Sequence, residues 1–162
     1  MFWTVLIAIM CFDVYFEIYF GKNILGYGGA EFGKRIVSFF KDEPIVGGYI
    51  NAFYLIIVGY LYSQFKNYSR IYQITILIIS LLLFLTILFT GERSNTIKAF
   101  LGILIFYSLF SNFNTKQKFF IFLAIITLLI TSVLTSHNLK VRYLHQIFNF
   151  NTFSNSNNEI KV

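Results

Sequence analysis

The feature of this sequence that most restricts its fold is a series of apolar runs, each close to twenty residues long. Five runs are separated by polar connections: Phe2–Phe20, Val46–Gln64, Ile71–Thr90, Thr96–Ser111 and Phe119–Thr135. About 20 apolar residues in a helix match the hydrocarbon thickness of a bilayer. In lipid, such a segment becomes a helix because it must satisfy its own backbone hydrogen bonds. The sequence therefore predicts an all-α fold, a polytopic membrane helical bundle with about five transmembrane helices.

Composition points the same way. The chain is 57% hydrophobic and only 12% charged, whereas a soluble domain is about 25% charged. Its surface is therefore expected to face a lipid bilayer. The net charge is +6, but the basic residues are spread over the connections, so no nucleic-acid partner is expected. A single cysteine, Cys11, excludes both a disulfide framework and a Cys-based metal site. We expect no metal and no cofactor.

The chain divides into two regions. Residues 1–135 form the predicted transmembrane region, which includes a mixed connection at 21–45 with glycines, charges and apolar side chains. Residues 136–162 form a polar tail that is expected to be disordered, and its Asn/Ser-rich end is the clearest sign of this. The first apolar run lacks a basic start and is interrupted by Asp13, so we interpret it as a spanning helix and not as a secretory signal.

The basic residues in short loops indicate the orientation. The connections Phe65–Arg70 and Ser111–Lys118 carry Lys and Arg without any acidic residue, which is typical of cytoplasmic loops. The opposite connections hold more basic residues in total but mix them with acidic ones. We give more weight to the purely basic loops and assign them to the cytoplasm. The outer side then holds the connection 21–45, the turn TGERSN and the segment after Thr135.

Glu92 and Arg93 stand side by side between the third and fourth apolar runs. A guanidinium near hydrocarbon faces a cavity or a partner, because inserting it into lipid costs about 2.5–3.5 kcal/mol. Its planar fork binds phosphate through two parallel hydrogen bonds. We therefore predict that Arg93 binds phosphate, that Glu92 holds the Arg93 side chain in position and that Ser94 caps the next helix. The alternative is an ordinary charged turn between two helices.

The connection 21–45 offers a second basic group, Lys34 and Arg35, followed by Glu43. We predict that Arg35 binds a second phosphate on the same side as Arg93. Glu43 is predicted to act as a base or to accept a hydrogen bond from a sugar hydroxyl. Lys34 and Arg142 are candidates for further substrate contacts, as is Ser94. The alternative is a basic amphipathic anchor that lies in the membrane interface.

Four other titratable residues carry less weight. Asp13 and Glu17 lie four residues apart on one face of the first helix. Carboxylates inside a membrane are functional candidates, but we favour a structural role in which Asp13 pairs with Lys or Tyr on a neighbouring helix. His137 and His145 have no acidic residue near them, so they make a poor metal site. We interpret them as solvated tail residues.

Three patterns in this order resemble the O-antigen polymerase and O-antigen ligase family: YFGKNILGY, KRIVSFFKDEPIVGGYI and TGERSNTIKAFLGIL. The second is similar to the family's R-x-S-G-x-F-x-D-E-x-x-x-G element, although Val37 and Ser38 replace Ser-Gly. Its matching residues are Arg35, Phe40, Asp42, Glu43 and Gly47. The third is similar to the S/T-G-E-R-[ST] element. Its matching residues are Thr90, Gly91, Glu92, Arg93 and Ser94.

The resemblance implies a metal-independent, multi-pass glycosyltransferase of the bacterial inner membrane, working at its periplasmic face. Its donor would be an undecaprenyl-diphosphate-linked glycan, with Arg35 and Arg93 holding the diphosphate. Members of the family are usually longer and have a large periplasmic loop that supplies a His. This chain is therefore expected to be a partial member of the family: a gene fragment, a split protein or a degenerate remnant. Its activity on its own is then in doubt, and a second chain that supplies the missing half is a candidate partner.

A second hypothesis belongs to another class. The chain would be a noncatalytic integral membrane subunit, or a small transporter, whose basic loops bind anionic lipid. A transporter is expected to place polar groups at mid-membrane. The middle runs hold few such groups, which argues against solute transport and leaves the subunit as the main alternative.

Overall fold

The computed structural model describes residues 2–28, 35–41, 43–65, 70–109, 113–140 and 143. These residues form helices joined by turns, and no strand occurs among them. The helices are α1 (Phe2–Phe20), α2 (Val46–Phe65), α3 (Arg70–Phe89), α4 (Arg93–Leu109), α5 (Thr115–Thr135) and the short α6 (His137–Lys140). A 3₁₀ turn, Ser38–Phe40, lies between α1 and α2. The predicted all-α fold is confirmed.

Four of these helices, α1, α2, α3 and α5, are long and apolar enough to cross a membrane. The fourth predicted span is shorter than the rest. α4 has 17 residues and includes the charged side chains Arg93 and Lys98. At 1.5 Å per residue it is about 26 Å long, slightly less than the hydrocarbon thickness of about 30 Å.

The core lies between the first four helices. α2 packs against α1, α3 and α4, and α3 also contacts α4. Side chains that are fully or almost fully buried fill the space between them: Ile7, Val14, Ile50, Phe84, Ile87 and Ile103. α5 lies at the edge of the bundle, and Ile125 and Val133 are the residues of this helix that are buried.

The outer faces of the helices are also apolar. Large hydrophobic side chains are exposed on every one of the five long helices, among them Phe12, Ile56, Ile78, Ile105 and Phe120. Exposure of so many large apolar side chains is unusual on a soluble monomer and is expected where the helices face lipid.

Polar contacts between the described residues also cross the helix interfaces inside the bundle. The hydroxyls of Ser80 in α3 and Tyr107 in α4 are 2.8 Å apart. The Thr86 hydroxyl donates to the Tyr15 hydroxyl at 3.3 Å, which joins α3 to α1. Hydrogen bonds between helices help association in lipid, where burial of apolar surface gives no driving force.

The segment after α5 is folded where the structure describes it. α5 ends at Thr135, where the membrane region was predicted to end. Leu139 in α6 is buried against Leu88 and Val133. The hydroxyl of Tyr143 is 2.8 Å from that of Thr96 in α4. The start of the predicted polar tail therefore packs on the bundle, and the predicted disordered end lies outside the described residues.

Candidate functional site

The carboxylate of Glu92 closes the N-terminal end of α2. Ile45 is the residue before this helix, and its side chain has no hydrogen-bond acceptor, although its carbonyl accepts from Tyr49 N–H at 3.1 Å. Glu92 supplies the missing acceptors: its Oε1 binds Gly47 N–H at 2.7 Å and its Oε2 binds Gly48 N–H at 3.0 Å. The first N–H groups of a helix lack partners within the helix, and its positive end favours a carboxylate. The α3–α4 turn is thus fixed to the start of α2.

Gly47 lets this turn approach closely. A Cβ at position 47 would overlap the hydroxyl oxygen of Thr90 and lie 2.9 Å from Glu92 Oε1. Thr90 is fully buried, and its hydroxyl donates to the carbonyl of Ile87 at 2.7 Å. The contact therefore requires glycine at position 47. Gly47 belongs to the second sequence pattern, and Thr90 and Glu92 belong to the third, so the two patterns form one packed unit.

Glu92 also marks the start of α4. Its carbonyl accepts hydrogen bonds from both the N–H and the hydroxyl of Thr96, each at 3.0 Å. Asn95 Nδ2 donates to Glu92 Oε2. The N-cap of α4 is therefore Glu92, and the prediction that Ser94 caps this helix is wrong. The helix begins three residues before the predicted Thr96, which leaves Ser94 exposed inside its first turn.

Arg93 is the first residue of α4. Its side chain is partly buried, and its Nε atom is fully buried. The role predicted for Glu92, holding Arg93 in position, stays a prediction. The contacts described above join both Glu92 carboxylate oxygens to α2, and one of them also to Asn95.

Glu17 binds the connection that carries Arg35. Its carboxylate, only 3% exposed, accepts hydrogen bonds from Val37 N–H at 3.2 Å and from Ser38 N–H at 2.7 Å. Two consecutive N–H groups are therefore held by one carboxylate, as at the start of α2. The Glu17 contact differs from the Glu92 contact in its backbone partner. Val37 precedes a 3₁₀ turn and Ser38 begins it, whereas Gly47 and Gly48 lie in an α-helix.

Asp13, one turn earlier on α1, binds the same connection. It is fully buried. Its Oδ2 accepts from the Ser38 hydroxyl at 2.5 Å, and its Oδ1 accepts from Ile24 N–H at 3.0 Å. The prediction that Asp13 pairs with Lys or Tyr on a neighbouring helix is wrong for the described contacts, in which its partners are a serine hydroxyl and a backbone N–H of the connection. Sequence reasoning missed Ser38 because it lies 25 residues from Asp13.

Asn23 completes the polar cluster. Its side-chain amide donates to the Ser38 carbonyl, and its Oδ1 accepts from Tyr27 N–H at 2.8 Å. Ser38 has φ +49°, a left-handed value that non-glycine residues seldom adopt. Its N–H, hydroxyl and carbonyl are all bound, which holds it there.

The structure brings Arg35 and Arg93 to the same end of the bundle. Arg35 is partly buried and lies two residues before Val37, which Glu17 holds. The ring of Tyr15, on the same part of α1, is 6.3 Å from that of Phe89, the last residue of α3. Arg93 begins the next helix.

Of the remaining predicted residues, Glu43 and Ser94 are among those that the structure describes. Glu43 is exposed on the same connection. Lys34 and Arg142 lie outside the described residues, as does His145. Within the part of the chain that the structure describes, no three His, Cys, Asp or Glu side chains are grouped as a metal site would need.

Comparison with known proteins identified no relative of this chain. No family model matches the sequence, and comparisons with curated proteins and with solved structures give no match. The resemblance to the O-antigen enzymes therefore rests on the sequence patterns alone and stays a prediction.

Proposed function

We propose that this chain is a membrane protein of surface-polysaccharide assembly that binds an undecaprenyl-diphosphate-linked glycan at the outer end of its bundle. It would be related to the metal-independent glycosyltransferases of the O-antigen polymerase and ligase kind. The observation that carries this proposal is the pair of hydrogen bonds from Gly47 and Gly48 to Glu92. Residues that resemble two separate family elements are joined there, beside an arginine.

The charge arrangement at α4 favours an anionic ligand. Arg93 puts a positive charge at the positive end of the helix dipole, and the first turn of α4 contains no acidic residue. The neighbouring carboxylate of Glu92 is bound to α2. A phosphate group at this position would be favoured by the helix dipole and would accept charge-assisted hydrogen bonds from the guanidinium.

The diphosphate is the leaving group of the proposed transfer. An acceptor hydroxyl attacks the anomeric carbon of the lipid-linked sugar, the bond from that carbon to the diphosphate oxygen breaks, and negative charge accumulates on the diphosphate. Arg93 and Arg35 stabilise this charge through charge-assisted hydrogen bonds in a site with little water. Glu43, exposed on the same connection, takes the proton of the acceptor hydroxyl or binds a sugar hydroxyl.

Lipid binding by the purified chain in nanodiscs tests the proposal. Radiolabelled undecaprenyl diphosphate should bind more tightly than undecaprenol. Arg93→Lys should weaken the binding of undecaprenyl diphosphate by about tenfold or more, since Lys loses the two-point contact. Arg70→Lys is the matched control, because Arg70 is exposed at the other end of α3. Equal binding of both lipids would reject the proposal. Equal loss of phosphatidylglycerol binding in both variants would instead favour a noncatalytic subunit that binds anionic lipid.

A further inference from the structure

The connection between α1 and α2 turns back along α1. Ser38 contacts Asp13, which lies seven residues before the end of α1 at Phe20. Seven residues of α-helix span about 10 Å. Ile24 also reaches Asp13, through its backbone N–H. The 3₁₀ turn that follows Arg35 therefore lies well below the end of α1, at the level of its last two turns.

We propose that residues 35–40 form a re-entrant segment inside the end of the bundle, and that Asp13 and Glu17 are positioning residues that hold it and so place Arg35. The docking of the segment does not depend on the proposed function. The binding of diphosphate by Arg35 in this position does rest on the proposed function.

The need for two carboxylates follows from the backbone. Non-helical backbone at membrane depth must be buried in protein, and its polar groups must be bound there. Val37 and Ser38 are both fully buried. Glu17 accepts from the N–H of each, and Asp13 accepts from the Ser38 hydroxyl. These donors in turn compensate the carboxylates for the loss of water, which explains two acidic residues on an otherwise apolar helix.

The segment is held against its own conformational preference. Ser38 in the segment and Lys41 directly after it both have positive φ, at +49° and +26°. Such conformations persist only where the surrounding contacts over-determine them, and they cluster at functional sites. Removing the contacts to α1 should therefore release the segment.

The two carboxylates should differ in how they tolerate amide replacement. The described partners of Glu17 on this segment are N–H groups, which only donate. Val37 N–H lies 3.2 Å from both carboxylate oxygens, and Ser38 N–H lies 2.7 Å from Oε2. Even in its better orientation, with its oxygen at the Oε2 position, Glu17→Gln would place an NH₂ group against Val37 N–H. The Ser38 hydroxyl can reverse and accept from Asn at position 13, while Ile24 N–H keeps its oxygen. If these residues hold the segment, Glu17→Gln should release it more than Asp13→Asn does. If the two changes act only by removing a buried charge, no such order is expected.

Cysteine labelling tests the docking directly. Val37→Cys is introduced with Cys11→Ala, and its reaction with a membrane-impermeant maleimide is timed in nanodiscs. Labelling should be slow, should accelerate about tenfold or more with Glu17→Gln, and should change much less with Asp13→Asn. Glu43→Gln is the control, because this exposed carboxylate lies on the same connection. Rapid labelling without Glu17→Gln, or equal rates for Glu17→Gln and Glu43→Gln, would overturn the proposal.

Hydrogen exchange on the unaltered chain gives a test that needs no variant. The amides of Val37 and Ser38 should exchange as slowly as amides inside α2, and fast exchange would overturn the docking even if Glu17→Gln failed to fold. Undecaprenyl diphosphate binding is measured on the same samples. Docking without diphosphate binding would overturn the proposed function and leave the re-entrant segment standing. Diphosphate binding that survives release of the segment would overturn the positioning of Arg35.

Discussion

Glu92 binds the backbone N–H of Gly47 at 2.7 Å and thereby joins the turn between α3 and α4 to the first turn of α2. The contact assigns different tasks to two adjacent charges. Glu92 stabilises α2 through its N–H groups, whereas Arg93 is the first residue of α4 and carries a positive charge at that end of the helix. The contact between Gly47 and Glu92 thus holds the turn that carries Arg93 against the start of α2, and the arginines supply the positive charge for the proposed ligand.

Alanine at position 47 should destabilise the protein. Its Cβ would meet Thr90 and Glu92, and overpacking of this kind costs about 1–3 kcal/mol. Gly59, in the same helix, has nothing within 4 Å of its added Cβ. Gly59→Ala should therefore be neutral or stabilising by up to about 1 kcal/mol. Thermal unfolding in detergent measures both variants, and equal midpoints would contradict the close contact at position 47.

Glutamine at position 92 should destabilise the start of α2. Each Glu92 oxygen accepts from a backbone N–H, so one of the two would face the NH₂ group of glutamine. A buried donor without an acceptor costs about 1–3 kcal/mol. Glu43→Gln, at an exposed position, should change the free energy of unfolding by no more than about 0.5 kcal/mol. Faster hydrogen exchange confined to the amides of 47 and 48 would locate the effect, and unchanged exchange there would exclude it.

Two buried tyrosines should respond differently to loss of their hydroxyls. The Tyr107 hydroxyl contacts Ser80 at 2.8 Å, and side-chain hydrogen bonds between membrane helices contribute about 0.6 kcal/mol on average. The buried Tyr54 hydroxyl has no hydrogen-bond partner among the described residues. Tyr107→Phe should lower the unfolding midpoint, while Tyr54→Phe should leave it unchanged or raise it. A larger loss for Tyr54→Phe would show that its hydroxyl is satisfied by another group.

The helices could be predicted because hydrocarbon thickness sets their length, and α1 begins and ends where the apolar pattern indicates. The start of α4 could not be read from apolar residues, since its first turn is polar and is fixed by Glu92. The connection was harder still. Asp13 and Glu17 share a helix face, but nothing local indicates that their partners lie on Val37 and Ser38.

The central claim is that Arg35 and Arg93 bind one diphosphate together, and a double-mutant cycle tests it most directly. Binding of undecaprenyl diphosphate in nanodiscs is measured for the unaltered chain, Arg35→Lys, Arg93→Lys and the double variant. Each single change should weaken binding by about tenfold or more. The fold-loss of affinity in the double variant should be smaller than the product of the two single fold-losses, because groups that share a ligand are coupled. Strictly multiplicative losses, or unaltered binding in either single variant, would contradict a shared site.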